Sequence, residues 1–171
     1  SIALCLFSIL TLPGLFASHM MGGEITYKWL GGKEYELIFR VYRDCRGIPF
    51  NSPSITVAAA SGSNVTTVNY TRTSIEDITP VCQKQSAPCS PANQTVGNEG
   101  VELHTFTATI DFAASPYNAF PNNGICEIRI RMEQCCRNGA ITTITPGNFW
   151  IESMMNICNS NYQNSSPQFL S

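Results

Sequence analysis

Cysteine is the residue type best supplied for chemistry in this chain. Cys45, Cys82, Cys89, Cys126, Cys135, Cys136 and Cys158 follow a short apolar leader that holds one more, Cys5. Such thiols can pair as disulfides, ligate a metal or act as nucleophiles, and spacing and compartment decide among the three. No Cys-x-x-Cys pair occurs, and His19 and His104 lie far from the cysteines in sequence. That spacing argues against a zinc site or a redox pair and leaves a covalent framework. Seven is an odd number, so one thiol is expected to be free, bridged to another molecule, or paired beyond Ser171. Cys82 and Cys89 share one Pro-bearing segment and could close it on themselves. The adjacent Cys135 and Cys136 would point to opposite sides of an extended chain, so they are expected to bridge two different elements. Cys126, Cys135 and Cys136 sit on or beside one predicted strand, a hub for which Cys45 and Cys158 are candidate partners.

Other chemistry is sparse. His104 shares a strand face with Glu102, the beginning of a base-and-carboxylate pair, but no Gly-x-Ser-x-Gly elbow or comparable signature accompanies it. The position reads as a polar strand residue facing solvent. Asp44, Asp77 and Asp111 are scattered and form no Asp-x-Asp-x-Asp calcium loop. No catalytic residue, metal site or cofactor is assigned. Arg129, Arg131 and Arg137, with Arg43 and Arg46, are the cationic candidates for a binding surface, and Trp29, Tyr35, Tyr42 and Trp150 are the aromatics that could line a ligand groove. The competing reading makes Arg129 and Arg131 part of a solvated strand face balanced by Glu127 and Glu133, with the aromatics in an inter-sheet core. The formal charge of −2, from 10 basic and 12 acidic side chains, leaves no electrostatic footprint for nucleic acid.

The elements that position these residues begin with the leader. Residues 2–12 are apolar apart from Ser8 and Thr11, no charge precedes Glu24, and Pro13-Gly14 breaks the run ahead of Ala17. This is the pattern of a secretory signal peptide over 1–17, expected as N-terminally clipped because a basic n-region is missing. The run is shorter than the roughly 20 apolar residues of a membrane span. Export would oxidise the thiols, and no direct membrane insertion is expected after leader removal.

Strands are predicted over 23–30, from 35 to 42, and over 54–60, 64–72, 101–112, 125–133, 140–145 and 148–155. The alternation is clearest where Tyr35, Leu37, Phe39 and Val41 oppose Glu36 and Arg40, and where Ile128, Ile130 and Met132 oppose Glu127, Arg129, Arg131 and Glu133. Ser61-Gly62-Ser63 reads as a hairpin turn. Segments 79–100 and 113–124 read as long Pro/Asn-rich loops. Short strands separated by turn signals indicate an all-β fold, an antiparallel immunoglobulin-like β-sandwich stapled by disulfides, with a barrel as competitor. Its predicted core is Leu37, Phe39, Val41, Val57, Val65, Phe106, Ile110, Ile128, Ile130, Phe149 and Ile151. The sandwich would occupy 18–158, and the polar tail 159–171 reads as a linker or the start of a further segment.

Two stretches, His19-Met20-Met21-Gly22-Gly23-Glu24-Ile25-Thr26-Tyr27 and Val41-Tyr42-Arg43-Asp44-Cys45-Arg46-Gly47-Ile48-Pro49-Phe50, resemble the opening of large secreted surface proteins of Bacteroidota. The resemblance continues, in the same order, through Gln134-Cys135-Cys136-Arg137-Asn138-Gly139-Ala140-Ile141-Thr142 and Asn164-Ser165-Ser166-Pro167-Gln168-Phe169. It implies an N-terminal, non-catalytic module on the cell surface. The rest of such a protein would continue into immunoglobulin-like or PKD-type repeats and end in a gliding-motility-associated sorting domain for type IX secretion. Some relatives carry a cysteine where Trp29 stands, or a second one soon after Cys158, which would account for the odd count. Expected roles are adhesion, surface-fibre assembly or gliding, and expected partners are other domains of the same long chain, surface glycans or proteins. The alternatives are a carbohydrate-binding module of an exported hydrolase, with a row of exposed aromatics, and an enzyme, with His104 and a carboxylate in a concave pocket.

Overall fold

A computed structural model describes residues 20–45, 47, 52–79, 100–135, 147–158 and 165–167. The leader, the strand expected over 140–145, Arg137, Cys82, Cys89 and Cys136 lie outside the described residues, as does nearly all of the 79–100 loop.

The described chain is all-β save for one short helix. Its elements are β1 (Met20–Gly31), β2 (Glu34–Asp44), β3 (Ser54–Ala59), β4 (Thr66–Thr67), β5 (Thr71–Asp77), β6 (Val101–Asp111), α1 (Ala119–Asn122), β7 (Glu127–Gln134) and β8 (Phe149–Asn156). They form two four-stranded sheets, ordered β1-β2-β6-β5 and β4-β3-β7-β8. Every pairing is antiparallel.

Side chains alternate between the two faces of a strand, so one sequence parity fills the core. In the first sheet Tyr35, Leu37, Phe39 and Val41 of β2 lie beside Ile110, Ala108, Phe106 and His104 of β6. Facing them are Ile55 and Val57 of β3, Ile128, Ile130 and Met132 of β7, and Phe149 and Met155 of β8, all buried. Removing each such large apolar side chain from water contributes roughly 1.5–3 kcal/mol. The predicted sandwich core holds at nearly every position, with Ile151 half-buried.

Val65 is the exception, 63% exposed. Gly62 and Asn64 both take positive φ, and this turn consumes the residues before β4, so Val68 enters the core in place of Val65. The expected strand over 64–72 is consequently two strands in different sheets. Between them the chain crosses the sandwich at Tyr70, whose hydroxyl donates to the Pro53 carbonyl (2.9 Å) and whose ring meets Phe106 edge-on.

The segment 113–124 is largely exposed turn, as expected of a loop, but the short helix α1 within it plugs this end of the sandwich. Phe120 of α1 is fully buried, and the Phe112 ring stands edge-on to those of Phe120, Tyr117 and Tyr35. Beside this plug a disulfide joins Cys126, just before β7, to Cys158, just after β8 (Cα–Cα 4.9 Å). Cys126 and Cys158 are thus one of the pairs the hub strand allowed.

Where β1 packs across β8, Gly23 is required by close approach. A Cβ there would lie 2.8 Å from the Arg40 carbonyl oxygen and 3.0 Å from Ile151 Cδ1. Gly23→Ala should therefore lower the unfolding free energy by about 1–3 kcal/mol in urea denaturation, through overpacking. Replacing Cys126 and Cys158 by serine opens a loop of sequence separation 32. The expected loss is about 4 kcal/mol by the loop-closure relation, read from the same denaturation curve.

Candidate functional site: the loop-bearing end of the sandwich

The register brings three connections to one end of the molecule. Asp44 pairs with Val101 and Asp77 with Glu102, so the β2–β3 and β5–β6 connections leave the first sheet side by side. Ser54 pairs with Glu133 and Gln134 with Phe149, so the β2–β3 connection enters and the β7–β8 connection leaves the second sheet together. The two sheets are aligned end for end there, since Gly23, opposite Val41, lies under Phe149 and Ile151. Cys45 opens the first of these connections and Cys135 the last, and both are disulfide-bonded. In chain order Cys82, Cys89 and Cys136 fall within the same connections.

Charge is buried beneath this end. Arg43 and Glu102 are cross-strand partners on the inward face, and His104 is the next inward residue along β6. The Arg43 guanidinium pairs with Glu102 Oε2, and His104 Nε2 lies 3.0 Å from the same oxygen. Arg43 also donates to the carbonyls of Cys45 and Gly47. One side chain therefore ties the buried carboxylate to the root of the β2–β3 connection. The root of the β5–β6 connection is tied as well. Cys45 N–H donates to Gly100 (3.0 Å), Ile78 N–H to Val101 (2.9 Å), and Val101 N–H to the Thr79 hydroxyl (3.0 Å).

His104 is 3% exposed, which corrects the expectation of a solvent-facing strand residue. Its parity matches Phe106 and Ala108, and its ring stacks 6.4 Å from Phe106. Burial holds its pKa below the ordinary value of 6.5, against the opposing pull of Glu102 and with help from Arg43 and Arg72. A neutral imidazole shut inside the sheet can orient a carboxylate but cannot meet a substrate. A cavity of about 220 Å³ lined by Tyr27, Glu127, Met154, Met155 and Asn156 opens elsewhere, at the seam between β1 and β8, and holds neither His104 nor Glu102. Among the described residues no cluster of three or more His, Cys, Asp or Glu side chains could hold a metal ion. None of their helices is long and apolar enough to cross a membrane.

The residues expected to form a binding surface are dispersed. Arg129 and Arg131 lie on the outer face of the second sheet, but their counter-ion is Glu152 of β8, not Glu127 or Glu133. Register explains this, because Arg131 and Glu152 are cross-strand partners. Arg131 makes two contacts with Glu152 (2.6 and 2.7 Å), with its guanidinium 4.9 Å over the Trp150 ring. Arg129 reaches Glu152 at 3.6 Å and the Ala60 carbonyl at 2.6 Å. Trp29 is on the inward face of β1, packed against the core, with its indole N–H on the Gly32 carbonyl (3.1 Å). Tyr42 stands half-buried on the outer face of β2. Arg43, expected as a cationic candidate for a binding patch, is instead buried and turned inward. Its signal was parity: it continues the inward series of Leu37, Phe39 and Val41.

Comparison with protein-family models, with curated proteins and with solved structures returns no match.

Because folding depresses the His104 pKa, the unfolded chain binds the extra proton first as pH falls. The stabilisation from a neutral His104 is complete above 6.5 and is lost as the pH drops below that value toward the lower folded-state pKa. The urea midpoint should therefore fall between about pH 7.5 and about pH 5.5, and His104→Gln should flatten that slope. An equally steep slope in the variant would show that this imidazole is not the titrating group.

Proposed function

We propose that this chain is a non-catalytic extracellular module of a larger cell-surface protein, acting in adhesion, surface-fibre assembly or gliding motility. In this reading the β2–β3, β5–β6 and β7–β8 connections form its contact surface. The observation that carries the proposal is their convergence on one end, where Cys45 and Cys135 are disulfide-bonded and Arg43, Glu102 and His104 fasten the roots from inside. Loops on a rigid frame are the usual place for recognition. Rooting them in cystine and a buried ion network lowers the entropy that ordering them would cost on binding. The disulfides themselves suit an oxidising, exported setting. The resemblance of 19–27, 41–50, 134–142 and 164–169 to Bacteroidota surface proteins supports the same setting and export by type IX secretion.

The finer fold assignment belongs to this proposal. The orders β1-β2-β6-β5 and β4-β3-β7-β8 correspond to strands A-B-E-D facing C′-C-F-G of an immunoglobulin-like sandwich. The three convergent connections are then the B–C, D–E and F–G loops. Two of these, B–C and F–G, carry the antigen-binding residues in antibody variable domains. The inter-sheet disulfide of antibody domains has no counterpart here, because the matching inward positions of β2 and β7 hold Phe39 and Ile130.

A carbohydrate-binding module would carry several aromatic rings in line on one outer face. Among the described strands Trp150 is the lone aromatic on the outer face of the second sheet, and Tyr42 on that of the first. An enzyme would need an accessible base, and His104 is enclosed.

The test replaces residues 80–99, except Cys82 and Cys89, by a Gly/Ser segment of equal length and compares both chains, coated on beads, for adhesion to panels of glycans and of extracellular proteins. The expected result is an unchanged thermal midpoint with adhesion lost. Undiminished adhesion, or turnover of any glycan by the unaltered chain, would reject the proposal.

A further inference from the structure

Among the described residues four strands form the sheet edges, and three of them are blunted against pairing with another chain. β4 is two residues long, β5 is broken by a register shift between Arg72 and Ser74, and β8 runs beside β1 with Glu152 on its face. β1 is different, the longest of them at twelve residues, with register shifts only near its two ends. Part of its flank away from β2 is covered by the chain itself. Ser166 N–H donates to the Tyr27 carbonyl (2.8 Å), Tyr27 N–H to the Ser166 hydroxyl (3.0 Å) and Trp29 N–H to the Ser165 hydroxyl (3.0 Å). Backbone direction alternates along an antiparallel strand, so Gly23 and Ile25 offer N–H and C=O on the same flank. Residues 165–167 make no hydrogen bond to either of them among the described residues.

We propose that this flank is a homotypic strand-addition site, at which β1 of a second copy of this chain pairs antiparallel when Ser165–Pro167 lets go. Backbone geometry requires the residues of one copy whose N–H and C=O point away from β2, Gly23, Ile25, Tyr27 and Trp29, to face the same set in the other. Among two-fold registers that satisfy this, centring on Glu24 or on Lys28 sets like charges face to face. Centring on Thr26 sets Glu24 against the partner copy's Lys28 twice over, by symmetry. The same register sets Ile25 beside the partner copy's Tyr27. It also brings the partner copy's Ile25 to the seam cavity of about 220 Å³ lined by Tyr27, Met154 and Met155. Strand addition draws its specificity from such recesses for alternate side chains. Each copy gives up three strap bonds, six in all, for about eight inter-strand bonds, so the exchange is nearly balanced and Ser165–Pro167 sets the concentration at which it occurs.

Sedimentation equilibrium on the full chain tests this. Replacing Ser165 and Ser166 together by alanine should tighten self-association by about tenfold or more. Adding Ile25→Pro should abolish it without unfolding, because the N–H removed points away from β2. Adding Lys28→Glu instead should also return the chain to monomer, and Glu24→Lys on top of that should restore the dimer. The last pair lies on the exposed outer face, where loss of the Glu24–Arg40 bridge (2.9 Å) costs little. It decides the question even if Ile25→Pro misfolds. A Ser165→Ala/Ser166→Ala variant that stays monomeric, or a dimer indifferent to Lys28→Glu, would overturn the proposal.

Discussion

Strands β2 and β6 are paired over eleven consecutive residues without a bulge, from Glu34 opposite Asp111 to Asp44 opposite Val101. This ladder is the constraint on which the rest of the molecule depends. It runs through the middle of one sheet and supplies the inward row that the other sheet must match. A slip of one residue would turn Leu37, Phe39, Val41 and Phe106 to solvent. It would also separate Arg43 from Glu102. The ladder thereby ends in aromatic closure at Phe112 and in buried charge at Arg43, and both ends follow from one register.

That polarity between the ends has an energetic logic. The plug at Phe112, Tyr117 and Phe120 is apolar and edge-to-face, so it seals an end that need only be closed. The Arg43–Glu102–His104 group gains little in net stability, since withdrawing charges from water costs about what their attraction returns. Its value lies in direction. A guanidinium has five donors in a rigid fork, and here they reach both inward to Glu102 and outward to the Cys45 and Gly47 carbonyls. An apolar side chain would fill the same space without fastening a loop.

The fold was legible wherever a strand had one wet face. β2 and β7 were readable to within two residues because their apolar and polar residues alternate cleanly. The division of 64–72 between two sheets was not, because the crossover depends on positive φ at Asn64 and on the packing of Val68 and Tyr70. The burial of Phe120 was hidden by the prolines and asparagines of 113–124, which describe a turn but not whether a ring beneath it finds a core. Cysteine spacing limited the partners of Cys126 without selecting Cys158, since pairing is decided by where β7 begins and β8 ends. At the candidate site, Glu102 and His104 were seen to share a face. Which face it was followed from the inward parity of Phe106 and Ala108, whose weight a lone polar histidine does not announce. Glu152 escaped notice because a cross-strand counter-ion is a property of register, not of local sequence.

The edges complete this account of where the molecule can be touched. A closed barrel would have no free backbone flank, whereas two stacked sheets leave four. Brevity serves β4 and a bulge serves β5, and each sacrifices strand length. β1 cannot be shortened in the same way, because Gly23, Ile25, Tyr27 and Trp29 close the seam over β8 and pack against the core. Its length is needed inside, so its flank must be managed from outside. Two serine hydroxyls and one amide do this with a segment distant in sequence, an arrangement that meets the backbone's hydrogen-bonding demand without adding a full strand. A cover held by so few bonds protects the edge while leaving it within reach of a competitor that offers a complete ladder.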